Sequence, residues 1–129
     1  MRRISLLLLW TVLVSSCDPM ATYNRFVDNQ SSHKIFVKII NWNVVQDSVA
    51  IDAHSKILID TQSDLGGNVS NANCTLVGGS FVAGVIDNNA LAMIKDFNKE
   101  SNWATKIKRG IAGGGTCDCS IIITDPDIQ

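Results

Sequence analysis

Asp47-Ser48-Val49-Ala50-Ile51-Asp52-Ala53-His54-Ser55-Lys56-Ile57-Leu58-Ile59-Asp60 is the stretch whose reading decides the fold. Two runs of strand length, 47–51 and 56–60, flank four turn-type residues, Asp52-Ala53-His54-Ser55. That pattern predicts a β-hairpin with a four-residue connection. Outward from it the same grammar repeats. Residues 34–40 form an apolar run, Asp28-Asn29-Gln30-Ser31-Ser32 reads as a turn, and 23–27 alternates weakly. Residues 62–73 form a polar loop without periodicity, 81–86 is a further strand, and 117–124 is a last one stopped by Asp125-Pro126. Turn signals every eight to twelve residues predict an all-β domain: a small antiparallel β-sandwich, immunoglobulin-like or a partly open barrel.

Composition agrees. Beyond residue 16 the chain holds fourteen Ile and nine Val against four Leu, with eleven Asn, eleven Asp and one Glu. β-branched residues suit a pleated sheet, and Asn and Asp suit turns. Residues 88–100 are the ambiguous segment. Leu91, Ile94 and Phe97 are spaced for a helix capped at Asn88 or Asn89, whereas Asp87-Asn88-Asn89 is also a tight turn with a returning strand. The surrounding strands favour the hairpin, and a hairpin is the expectation.

The N-terminus has its own logic. Met1-Arg2-Arg3 is a positive n-region and residues 4–14 are apolar. As a helix those eleven residues reach about 16 Å, short of a ~30 Å hydrocarbon core, so a cleaved signal helix is expected over 1–16. Val14-Ser15-Ser16-Cys17 resembles the lipobox of bacterial lipoproteins. The resemblance implies that Cys17 becomes the first mature residue, carrying thioether-linked diacylglycerol and an N-acyl chain such as palmitate. Two or three chains anchor a protein nearly irreversibly. Cleavage leaves 113 residues, 49 of them apolar, with formal charge −3, one domain able to bury roughly 65% of its unfolded surface. Residues 17–24 read as a lipidated tether and 25–129 as the β domain. The acidic balance excludes nucleic-acid binding by bulk electrostatics.

The order Val27-Asp28-Asn29-Gln30-Ser31-Ser32-His33-Lys34-Ile35, Asp47-Ser48-Val49-Ala50-Ile51, Val85-Ile86-Asp87-Asn88 and Ile122-Ile123-Thr124-Asp125-Pro126-Asp127-Ile128 resembles a loose group of small β-rich Gram-negative envelope lipoproteins. The resemblance implies a β-rich envelope domain and carries no functional residues; the lipid-anchored chain is expected at the outer membrane in preference to the inner. The cysteines and Gly113-Gly114-Gly115 depart from it.

Chemistry must come from side-chain constellations. With Cys17 acylated, Cys74, Cys117 and Cys119 remain, so an oxidising envelope leaves one disulfide and one thiol. Cys117 and Cys119 leave the same strand face, and Cys74 can bridge to either. The competing reading is a three-thiolate zinc or copper site with His33 or His54. Cys-x-Cys is not a zinc-ribbon spacing and neither histidine is near a cysteine in sequence, so no metal or cofactor is expected. Asp52, His54 and Ser55 lack any nucleophile elbow and read as turn residues, so no catalytic group is assigned. Residues 110–115 lack the Lys-Ser/Thr of a phosphate loop.

Trp42, between two asparagines at a strand end, and Trp103, ahead of Lys106-Ile107-Lys108-Arg109, are the candidate binding aromatics. The expected function is a non-catalytic envelope lipoprotein that binds a protein or glycan or scaffolds the membrane surface. An inhibitor or immunity-type lipoprotein with a protruding loop at 62–73 or 110–115 is the alternative. A thiol- or metal-active protein with converging sulfurs, at least one exposed, is the third.

Overall fold

Alternating burial runs through the longest strands and builds the layers. The computed structural model describes residues 19–70, 74–110 and 113–129. The segment 1–16 expected to be a signal helix, and Cys17, lie outside these residues. In β1 (Met20–Asn29) Ala21, Tyr23, Arg25, Val27 and Asn29 are buried, and in β7 (Gly115–Ile123) Cys117, Cys119, Ile121 and Ile123 are. Successive side chains on a strand face opposite ways, so each strand presents one face to the core. β2 (Ile35–Asn41) does the same with Ile35, Val37 and Ile39. β3 (Val44–Ile51), β4 (Ser55–Leu65), β5 (Gly79–Val85) and β6 (Ala104–Arg109) complete the set. One sheet has the order β4-β1-β7-β6 and the other β3-β2-β5. The protein is all-β, and its two sheets form a small β-sandwich.

Several expectations need correcting. β3 and β4 do not form the predicted hairpin, because they belong to different sheets. β4 pairs along its length with β1, and β3 with β2, so residues 52–54 carry the chain from one layer to the other. Period-two alternation is the same for an in-plane turn and a crossover, which is why sequence cannot separate them. His54, at φ +56°, makes the corner. Asn29 fixes both crossovers at this end: its amide donates to His33 O (2.8 Å) and Asp52 O (3.0 Å), while its Oδ1 accepts from Ser31 Oγ (2.7 Å).

The sandwich is not wholly antiparallel, since β1 and β7 run parallel, Ala21 opposite Gly115 and Asn29 opposite Ile123. The tether read over 17–24 is also too long. β1 starts at Met20, because Ala21 and Tyr23 are buried side chains in phase with the rest of the strand. The polar loop starts later than expected, with Gln62 to Leu65 still paired to β1.

Residues 88–100 are neither hairpin nor helix. Asn88 Oδ1 accepts from Ala90 N (3.0 Å) and Asp96 Oδ1 from Asn98 N (2.8 Å), local side-chain turns that compete with helical bonding. No returning strand forms because the backbone turns to the C-terminus: Ala92 N donates to Gln129 O (2.6 Å) and Ile94 N to Asp127 O (2.9 Å). Phe97 is thereby delivered into the core.

Candidate functional site

Two places concentrate chemistry, one inside the sandwich and one at an end. The inner one depends on a β-bulge. Register shifts between Arg25, opposite Asp60, and Phe26, opposite Leu58, so Ile59 is the extra residue of β4. Without it Asp60 would fall in the outward phase; with it Asp60 and Gln62 join Arg25 on the inner side. Arg25 is 1% exposed. Its guanidinium donates to Asp60 Oδ2 and Cys74 O (both 2.6 Å), to Thr75 O (3.2 Å) and to Gln62 Oε1 (3.3 Å). A buried cation persists only when paired and hydrogen-bonded in this way. Sequence reasoning missed Arg25. The signal was present, a charged residue in phase with Ala21, Tyr23 and Val27.

The carbonyls that hold Arg25 belong to the segment carrying Cys74, and that cysteine is disulfide-bonded to Cys119. Glu100 fixes the same segment from the other side, accepting from Cys74 N and Thr75 N (both 3.1 Å). Cys117 is a free thiol, its Sγ 3.9 Å from that of Cys119, and all three sulfurs lie within 4.8 Å of one another. All three residues are fully buried. Burial pushes the Cys117 thiol up, and the nearby carboxylates of Asp118 and Glu100 add to that against Arg25. A protonated, enclosed thiol is a poor nucleophile and metal ligand. Convergence of the sulfurs matches what a thiol- or metal-active protein requires; their complete enclosure does not.

The turn residues settle into structural bonds. Ser55 Oγ donates to Asp52 O (2.7 Å), and the Asp52 carboxylate pairs with Lys34 (2.8 Å); among the described residues no hydrogen bond joins either of them to the His54 ring, as a triad would need. His33 Nδ1 lies 3.2 Å from Asp87 Oδ1. Gly110 N donates to Gly114 O (2.8 Å), and a Cβ on Gly114 would lie 2.7 Å from Met20 O. Gly114 therefore packs directly against the backbone at the start of β1.

The two aromatics part company. Trp103 is no surface binding residue: it is 7% exposed, its Nε1 donates to Phe97 O (2.8 Å), and its ring packs with Phe81 and Phe97 at centroid distances of 5.6 and 6.3 Å. Phe97, arriving from the irregular segment, closes that cluster. Trp42 is 85% exposed. With Asn43 it forms the two-residue β2–β3 turn, at φ +51° and +63°, the arrangement of a type I′ hairpin. Asn suits that geometry, whereas a bulky residue in the left-handed region is strained. The indole reaches over Gly78, where a Cβ would lie 3.8 Å from Cζ2. On one side a shallow cavity of about 400 Å³ includes Asn41, Gln46, Asp60, Gln62 and Val77 in its lining. Asp60 joins this surface to the buried Arg25.

Trp42 is not alone. β2 ends, and β3 and β5 begin, at the same end of the sandwich where β1 begins and β4 ends, opposite the crossovers at 30–34 and 52–54. Val77 (84% exposed) and Leu65 (75%) share that end with Trp42, and Met20, Val44 and Val45 are exposed there too. Comparison of the chain with family models, curated proteins and solved structures finds no match.

Proposed function

We propose that the chain is a lipid-anchored protein of the bacterial cell envelope, held at Cys17 in the outer membrane, whose β-sandwich is a non-catalytic binding module. The observation that carries this reading is the exposed apolar end around Trp42. Three separate turns each put a large apolar residue into solvent: Trp42 beside Asn43, Leu65 beside Gly66, and Val77 beside Gly78. Trp42 and Val77 line the same shallow cavity, and large apolar residues left exposed together at one end of a domain mark an interaction site. A strained tryptophan on a hairpin tip supports the same reading, because strain persists where function requires it. The candidate inhibitory loops give less support, since 62–65 is strand and Gly114 packs against β1.

The test is metabolic labelling with a radiolabelled or clickable fatty acid, comparing the natural chain with Cys17→Ala. The natural chain should take up label and partition into detergent, while the variant remains unlabelled and at precursor mass. A natural chain that is unlabelled and freely soluble refutes the anchored reading.

A further inference from the structure

The proposed anchor and the apolar end are neighbours. Met20 begins β1 three residues after Cys17, so the two are separated by at most about 11 Å of extended chain. A chain acylated at Cys17 must therefore hold this end of the sandwich at the bilayer surface. The outward residues there suit such a surface. Trp42, Leu65, Val77 and Met20 stand on separate loops and strand ends, and tryptophan favours the headgroup level of a membrane. Charge is arranged to match. Lys108 and Arg109, both exposed, close β6 at this end, while Asp64 of β4 lies at the opposite edge of the same sheet. Asp28, Asp52, Asp87, Asp125 and Asp127 sit at the opposite end, where Lys34 pairs with Asp52, Lys95 with Asp127 and Lys56 stands opposite Asp28, so that end keeps an excess of acidic groups. An anionic leaflet attracts the basic end and repels the acidic one.

We infer that the Trp42 end is a membrane-docking surface, seating Trp42, Leu65 and Val77 in the headgroup region of the bilayer that holds the lipid. This deepens, and rests on, the anchored reading. Docking gives the sandwich a fixed orientation: β1 and β7 rise from the membrane, and the Asn29 end, with its acidic rim, faces away.

The acylated mature chain, reconstituted in phosphatidylcholine–phosphatidylglycerol vesicles, provides the test. It holds two tryptophans, exposed Trp42 and buried Trp103. Lipids brominated near the headgroup end of the acyl chain should quench Trp42 emission about twofold and protect it from aqueous iodide, since interfacial residues sit about 5–10 Å into the headgroup–acyl boundary. Trp42→Phe, which leaves Trp103 alone, should show no such quenching, and L65S/V77S should return Trp42 to iodide. Intact mass is recorded on the same sample. An acylated chain whose Trp42 is unquenched by bromolipid and open to iodide overturns docking, frees the patch for a protein or glycan, and leaves the anchor standing. A chain without acyl mass overturns the anchor, and docking with it.

Discussion

Replacing Cys74 with alanine should cost the domain about 4 kcal/mol beyond the loss of its buried side chain, and replacing Cys119 should not. The bridge spans a sequence separation of 45. The chain-entropy relation assigns a loop of that size about 4 kcal/mol of stabilisation, or roughly 15 °C in melting temperature for a domain near 110 residues. Cys119→Ala removes the same bridge, but Cys117 stands two residues away on the same face, its sulfur within 4.8 Å of that of Cys74. A Cys74–Cys117 bridge closes a loop only two residues shorter, so its entropy term is nearly identical. Cys74→Ala offers no such substitute, because Cys117 and Cys119 are adjacent on one strand and a bond between them closes almost no loop. Both cysteines are fully buried, so the cost of truncation is common to both variants and cancels in the comparison. Each variant is refolded in a glutathione redox buffer and unfolded in urea. Peptide mapping with a protease that cleaves before aspartate separates Cys117 from Cys119 at Asp118 and identifies the bridge. Cys119→Ala should come out within about 1 kcal/mol of the natural domain, and C117A/C119A should fall to the level of Cys74→Ala. If Cys119→Ala shows two free thiols and matches Cys74→Ala in stability, the inferred convergence of the three sulfurs is wrong.

Arg25→Ala should lose about 3–5 kcal/mol in chemical denaturation, because Asp60 and two carbonyls lose their donor inside the sandwich. Arg25→Met paired with Asp60→Asn should lose less than Arg25→Ala alone; a larger loss refutes the ion pair as the reason. The tryptophans should respond in opposite senses to thermal unfolding. Trp103→Ala costs about 3–5 kcal/mol through its core cluster, whereas W42N/N43G gains about 1 kcal/mol by relieving the left-handed tryptophan. Acid should loosen the far end of the molecule. Backbone and side-chain hydrogen bonds from Ser32 hold the Asp125 carboxyl below its usual range. The stability those bonds contribute is therefore complete above about pH 4 and lost as pH falls through the depressed folded value. Asp125→Asn should lower stability at pH 7 and flatten the decline below pH 4, and an unchanged acid profile counts against this assignment.

Much of the strand inventory is legible in the sequence, because β1, β2 and β7 alternate and their burial follows. What is illegible is which layer a strand joins. The stretch from Asp47 to Asp60 carries the same pattern whether its two runs lie side by side or face each other across the core. The bulge at Ile59 is equally hidden. One inserted residue reverses the phase of Asp60, and only pairing with Arg25 reveals it. The exposed apolar end was half visible. Trp42 announced itself between two asparagines, but Leu65 and Val77 are ordinary apolar residues until the topology brings three turns to one end. Trp103 had the same credentials as Trp42, and only Phe97, delivered by a segment that is neither helix nor hairpin, decides that it is core.

The parallel pairing of β1 with β7 sets an order of events in time. A chain that emerges N-terminus first presents β1 at once, yet one edge of that strand stays bare until residues 115–123 have arrived. β4 can occupy its other edge early, and β2, β3 and β5 can assemble their own sheet. The disulfide partner Cys119 lies on the same late strand. Contacts of such sequence separation form slowly, so the domain is completed only at the end of its delivery. If its N-terminus is already fixed in lipid by then, the last step of folding takes place against the membrane.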